Sequence, residues 1–373
     1  MVISGKHPSS GESIDIHVSN GVIERVERSN SPVDRYVSPG WIDIQVNGFA
    51  GVDYNHPRTP LDEIARSIEV QRTTGVARLY PTVITGSHEN ICGSLRNLAH
   101  AKRTLNDGRA MPGFHVEGPW ISALDGPRGA HPIEHVRAPS IDEYKRFQEA
   151  AEGGVRLVTL GPEHEGSTTV IEHMVADGVV VSLGHTNATA NDISAAIKAG
   201  ATMSTHLGNG AHAEVPRHDN YITHQLAADE LYAGLIVDGI HLPPAWVKVA
   251  VRAKGLDKSI LVTDAVAPAH CPPGIYRVGH LEVELLPEQR VELTDSRRLA
   301  GSALSMDRGV GNLIQFAGVS LFDATRFATV NPAKAMGITG RDGYLEPGQT
   351  ADLTLFTLDP DGIVSVEETI LAN

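Results

Sequence analysis

The sequence predicts an α/β protein: a (β/α)8 TIM-like barrel carrying a small β-sandwich domain built from both chain termini. Three observations carry that prediction. Roughly eight short apolar runs alternate with helix-like segments through the middle of the chain, as a (β/α)8 barrel requires. Several of those runs end in one polar residue of a metal-ligand or acid–base type, at the strand ends where barrel enzymes collect their chemistry. The chain ends instead alternate apolar and polar residues with a period of two, the pattern of half-buried strands. A doubly wound sheet would also accommodate strands and helices in alternation, but it gives no reason for so many strands to end in ligand-type residues.

Taken in order, residues 14–27 read as a hairpin about a Ser-Asn-Gly turn. Barrel strands are expected at 41–46, 77–83, 112–116, 155–160, 179–183, 202–205, 231–237 and 260–263. Helices are expected over 61–72, 90–105, 141–152, 190–199 and 244–254, separating several of them. Short strands return at 277–293 and 351–356, punctuated by Pro347-Gly348. The small β domain is therefore assigned residues 1–38 and 331–373 and the barrel 39–330, with strands near 277–293 read as an addition to the small domain.

Length and composition narrow the function. A chain of 373 residues is long enough for one large barrel with an accessory domain. Its 31 Lys and Arg against 45 Asp and Glu leave a formal charge of −14, which repels nucleic acid and anionic membranes. A phosphorylated ligand would then need a local basic pocket, which draws attention to Arg217. Two cysteines without metal or redox spacing argue against a disulfide framework or thiolate metal site and set a reducing cytoplasm as the expectation. No signal-peptide core or membrane-length apolar run is present.

The chemistry centres on Phe114-His115-Val116-Glu117-Gly118-Pro119, an apolar run that delivers one carboxylate. Val181-Ser182-Leu183-Gly184-His185-Thr186 and Met203-Ser204-Thr205-His206 have the same form. The other strand-end residues are Gln45, Asn47, Thr82, Glu163, His164, Asp238, His241 and Asp264, none of which an apolar core needs. Glu117, His185 and His206 make a one-carboxylate, two-imidazole set suited to Zn²⁺ with one position open. The same donors suit Fe²⁺, Mn²⁺ or Co²⁺. A divalent ion there would acidify a water and polarise a carbonyl, so hydrolysis follows. Asp264, ending the last strand, is placed to take the proton and return it to a leaving group. A capping role for Glu117 and structural roles for single histidines are the bland alternatives; three such runs in chain order weigh against them.

The chain resembles the N-acetylglucosamine-6-phosphate deacetylases of the amidohydrolase superfamily. The likeness runs from Ser38-Pro39-Gly40-Trp41-Ile42-Asp43 to Asn331-Pro332-Ala333 and Pro347-Gly348-Gln349-Thr350-Ala351-Asp352-Leu353. Its most specific motifs are His115-Val116-Glu117-Gly118-Pro119, Gly184-His185-Thr186, Thr205-His206-Leu207, Asp238-Gly239-Ile240-His241, Leu261-Val262-Thr263-Asp264-Ala265 and Leu299-Ala300-Gly301-Ser302. The resemblance implies that His131, in Gly129-Ala130-His131, polarises an acetamide carbonyl. It also implies that Ala130, Asn209, Gly210, Ala300 and Gly301 meet the sugar, and that His241 with an Arg reached across a homodimer interface, here Arg217, binds the phosphate. Many superfamily members carry His-x-His at the end of the first strand; Gln45-Val46-Asn47 stands there and predicts one metal rather than two.

Two departures keep the substrate open. The family's Arg-Glu-Pro-Gly reads Arg217-His218-Asp219-Asn220, and its Asn-Ala-Met reads Asn209-Gly210-Ala211. An Asp two residues beyond the Arg can neutralise it and select an unphosphorylated acetamido sugar. The expectation is hydrolysis of N-acetylglucosamine 6-phosphate to glucosamine 6-phosphate and acetate. The rivals are N-acetylgalactosamine 6-phosphate, an unphosphorylated acetamido sugar, and a non-catalytic sugar-binding relative.

Overall fold

The structure, a computed structural model, describes residues 1–338 and 344–372. Positions 339–343 and 373 of the expected C-terminal part of the small domain lie outside the described residues. Eight parallel strands form the central sheet, in spatial order equal to chain order: Trp41–Val46, Val76–Ile84, Phe114–Glu117, Val155–Leu160, Val180–Leu183, Met203–Ser204, Tyr232–Ile236 and Ser259–Val262. All eight expected strands are present. The sheet closes on itself just past its ends, where the Asp264 N–H donates to Gln45 O at 2.9 Å and the Asn47 N–H to Ala265 O at 2.7 Å. These strands are buried on both faces, which is why they read as near-continuous apolar runs.

Inside the barrel the side chains are partly polar, and several of them hydrogen-bond from strand to strand. Thr82 meets His115 Nδ1 at 3.3 Å, His115 Nε2 meets Thr159 Oγ1 at 2.7 Å, and the Thr205 hydroxyl joins both Thr159 and Ser182 at 2.6 Å. This chain of hydrogen bonds ties neighbouring strands together beneath the strand ends, and burial depresses His115 to about 4, so its ring is neutral.

Helices pack outside. Leu61–Arg72 and Pro244–Lys254 match their expected bounds, and Ala190–Lys198 opens with a Thr189/Asp192 capping box. Helices Ser167–Ala176 and Tyr221–Ala227 were not expected. The first carries the β-branched run Thr168-Thr169-Val170-Ile171 and has no side-chain cap, so burial of Val170, Ile171 and Met174 overrides weak local propensity.

The termini build one six-stranded sheet in the order Val364–Ile370, Leu353–Leu358, Tyr36–Pro39, Val2–Lys6, Ser13–Ser19, Val22–Arg28. The predicted sandwich is thus made by a single sheet that curls back. Its edge returns to residues 349–351, with the Ile23 N–H on Gln349 O at 2.8 Å and the Ala351 N–H on Gly21 O at 2.9 Å. Ile16, Ile23, Val37, Leu353 and Leu355 fill the interior of the curl, while Tyr36, Phe356 and Val364 face the barrel core. A buried Arg78–Asp352 ion pair at 2.8 Å joins the two units.

One assignment is corrected. The strands near 277–293 do not join the small domain; Gly274–Val278, Leu281–Leu285 and Val291–Leu293 form a separate three-stranded antiparallel sheet. They leave from the C-terminal end of the last barrel strand, so they rise over the barrel mouth and wall its cavity through Val278 and Leu281.

Candidate metal centre and active site

Glu117 is the last residue of the third barrel strand, and His185 and His206 follow the fifth and sixth. Barrel geometry brings them together: Glu117 Oε1 lies 3.2 Å from His185 Nε2 and 2.9 Å from His206 Nε2, and the two Nε2 atoms are 3.0 Å apart. All three side chains are buried, and the trio offers ligand atoms within 4.8 Å of one another. The chemistry of the donors fits a divalent cation. The His185 ring supports the fit independently, because its Nδ1–H donates to Pro127 O at 2.8 Å and so leaves the Nε2 lone pair for a metal.

His185, His206 and Asp264 all have positive φ, at 50°, 27° and 48°. Non-glycine residues adopt this region rarely, and such strain gathers at functional sites. The neighbouring loops hold it in place. Glu163 accepts the Thr186 hydroxyl and, at 2.8 Å, the Asn187 N–H, steadying the turn after His185. The Asn209 side chain donates to His206 O at 3.2 Å. Gly210 is required for space as well as for its φ of 55°, since a Cβ there would stand 2.7 Å from His185 Nδ1. Gly210→Ala is expected to push His185 off Pro127 O and weaken metal binding by roughly 10- to 100-fold, read by metal titration.

Gln45 and Asn47 take a role that spacing left open between poor ligands and strand-end hydrogen bonding. Gln45 Nε2 donates to Glu117 Oε1 at 3.0 Å and to Asp264 Oδ1 at 3.3 Å, and Asn47 Nδ2 donates to Asp264 Oδ1 at 2.7 Å. They orient the two carboxylates. Burial pushes Glu117 up, but its close contacts with the His185 and His206 rings outweigh it and hold the carboxyl well below the usual range. Burial, reinforced by the Glu117 charge, raises Asp264 to about 6. Two carboxylates a few ångströms apart are thereby split into a firmly ionised ligand and a group able to exchange protons near neutrality.

His131 sits beside this trio, its ring 4.3 Å from that of His185 at 63°. Burial depresses it to about 3, with the neighbouring His185 adding to the effect, so the ring is neutral. A cavity of ≈ 580 Å³ opens over Glu117, His185, His206, Asp264 and His131. Ala130, Asn209, Gly210, His241, Ala300 and Gly301 line it. His241 is fixed by Asp238, whose Oδ2 lies 2.6 Å from Nδ1 and whose Oδ1 accepts the His241 N–H at 2.8 Å.

Three expected residues stand elsewhere. His164 is used structurally, its Nε2 donating to Ile121 O at 2.8 Å, and Thr82 belongs to the polar layer below the site. Arg217 is exposed and is not among the cavity's lining residues. Asp219 does not neutralise it; Asp219 Oδ1 pairs with His224 Nε2 at 2.7 Å. Thr85 and Pro127 support the site without any ligand-type signal in the sequence, whereas Glu163, one of the strand-end candidates, acts by steadying the turn after His185.

The sequence profile of the amidohydrolase family matches residues 36–371, most of the chain. The chain belongs to the amidohydrolase family. An N-acetylglucosamine-6-phosphate deacetylase of Bacillus subtilis (strain 168) is 33% identical over 340 residues, covering 90% of this chain and 84% of the relative. An N-acetylgalactosamine-6-phosphate deacetylase of Escherichia coli O157:H7 is 31% identical over 343 residues, covering 91% and 89%. Among solved structures, an N-acetyl-D-glucosamine-6-phosphate deacetylase mutant of Mycobacterium smegmatis, in complex with N-acetyl-D-glucosamine-6-phosphate, superposes with a TM-score of 0.88 at 29% identity, covering 99% of this chain and 97% of that one. This amidohydrolase is therefore a hydrolytic enzyme of a metal-dependent family with a Glu/His/His site that fits a metal. Among the described residues no helix is long and apolar enough to cross a membrane.

Proposed function

We propose that this amidohydrolase removes the acetyl group of an N-acetylhexosamine 6-phosphate, foremost N-acetylglucosamine 6-phosphate, releasing the amino sugar and acetate. The observation that carries the reading is the convergence of Glu117, His185 and His206 with Asp264, His131 and His241 on one cavity, in a chain whose relatives bear that name. Glu117, His185 and His206 would hold one divalent ion, for which Zn²⁺ is the first candidate and Fe²⁺, Mn²⁺ or Co²⁺ the others. A single ion is favoured because Gln45 and Asn47 spend their amide N–H groups on carboxylates. The bound ion supplies Lewis acidity toward a carbonyl and lowers the pKa of water.

The residues do the rest. Asp264, with Oδ1 held by Asn47 and Gln45, accepts the proton of the attacking water and returns it to the departing amine. His131 donates to the acetamide oxygen as negative charge develops there. His241, its Nδ1 on Asp238, presents Nε2 toward the cavity for the phosphate. Arg217, exposed outside its own cavity, completes the phosphate site of a second subunit in a homodimer. Free Cys92 and Cys271 support a reducing cytoplasm as the setting.

Acetate release from N-acetylglucosamine 6-phosphate, N-acetylgalactosamine 6-phosphate and unphosphorylated N-acetylglucosamine tests this reading. A strong preference for a phosphorylated sugar is expected, and Arg217→Ala should raise its KM roughly 10- to 100-fold, the loss of a charge-assisted contact, with kcat little changed. Equal rates with and without phosphate would remove the anion site. Silence on all three would favour the non-catalytic relative. The galactosamine epimer is the second reading, favoured by the 31% identity to the Escherichia coli enzyme of that name.

A further inference from the structure

His131 is asked to donate a hydrogen bond into the cavity, and a neutral imidazole has only one N–H to give. Which nitrogen carries it depends on what the other nitrogen meets. His131 Nδ1 lies 2.7 Å from Thr85 Oγ1, one residue beyond the second barrel strand. Thr85 is buried, and its hydroxyl has a second neighbour, Glu117 O, at 3.4 Å. Gly118 leaves the room for this contact, since a Cβ there would stand 2.1 Å from Thr85 Oγ1.

Two proton arrangements exist for this pair. If Nδ1–H donated to Thr85, the hydroxyl proton would have only Glu117 O to serve, at a distance beyond a sound O–H···O bond, and would be stranded in a buried site. If the hydroxyl donates to Nδ1, the short contact is satisfied and the imidazole proton sits on Nε2, at the ring edge remote from Thr85. The ring is buried and packed edge-on against that of His185, 4.3 Å away, and Arg128 donates to His131 O at 2.8 Å, holding the backbone beneath it.

We propose that Thr85 is a positioning residue that sets the His131 tautomer, donating to Nδ1 so that Nε2–H faces the cavity as the donor for the substrate carbonyl. This rests on the deacetylase reading for its catalytic consequence but not for the tautomer itself. Thr85 touches no substrate; it acts through His131. A hydroxyl, rather than bulk, is what the position requires, so Ser serves there and Val does not.

The test uses the zinc-loaded full chain. In protein labelled with ¹⁵N at histidine, the signal lost in His131→Gln identifies the His131 ring, and its two nitrogen shifts report the tautomer. The wild type should show Nε2–H, and Thr85→Val should shift the ring toward Nδ1–H or a mixture while Thr85→Ser keeps Nε2–H. Kinetically, Thr85→Val should lower kcat roughly 10- to 100-fold with KM little changed, less than or equal to the loss of an entire oxyanion donor. Thr85→Ser should restore most of it, and Thr85→Val should add nothing in a His131→Gln background. A wild-type ring carrying Nδ1–H, or Thr85→Val turning over at the wild-type rate, overturns the proposal. If the wild type releases no acetate, the deacetylase reading fails by itself and the nitrogen shifts alone decide the role of Thr85.

Discussion

Asp264→Asn is expected to keep its metal and lose turnover by roughly 10²- to 10⁴-fold, the range general acid–base catalysis supplies. The amide preserves the size of the side chain and an oxygen for the Asn47 Nδ2 contact at 2.7 Å, so the barrel closure around residues 45–47 and 264–265 should survive. What it cannot do is accept a proton. The wild-type carboxyl is suited to that task because burial first, and the Glu117 charge second, lift it to about 6. Measuring kcat together with metal content per chain separates this from a loss of the ion. Near-wild-type turnover in metal-replete Asp264→Asn would take Asp264 out of the chemistry.

The second large effect is expected at Glu117. Glu117→Gln removes a negative charge from between His185 and His206, and the metal affinity should fall by more than about 100-fold, beyond the usual cost of altering a supporting partner. Dialysis of the wild type against a chelator should abolish acetate release, with Zn²⁺ restoring it; Glu117→Gln should stay inactive at the same Zn²⁺ concentration. Protons compete with the ion for imidazole lone pairs, and although burial lowers His206, its bond to Glu117 raises it overall, so metal affinity should fall on acidification. Full activity after exhaustive chelation would remove the metal from the reaction, however well these residues fit one.

Much of this arrangement is legible in the linear chain. Glu117, His185, His206 and Asp264 each end an apolar run, and a parallel barrel sends such ends to one face. The eight strands are legible for the same reason, being buried on both sides and bounded by Gly and polar residues. Helix Ser167–Ala176 is not, because its β-branched residues favour strand locally and only packing against the barrel makes it helical. The sheet at 274–293 shows the opposite limit: its strands are visible in the pattern, but which sheet they join depends on where the preceding barrel strand delivers them.

The residue types at the strand ends, and hence the donor set for a metal and a proton carrier, are determined by the sequence alone, because alternation dictates which side chains face inward and barrel order dictates where they emerge. Only the tertiary structure decided how those groups are supported. Gln45 and Asp264 are 219 positions apart and meet because the first strand closes against the last. Thr85 reaches His131, and Pro127 reaches His185, across loops whose path no local pattern encodes. Arg217 lies outside its own cavity for the same reason. Periodicity reports a face, not a neighbour, and hydrogen bonds between distant strand ends exist only once the ring is closed.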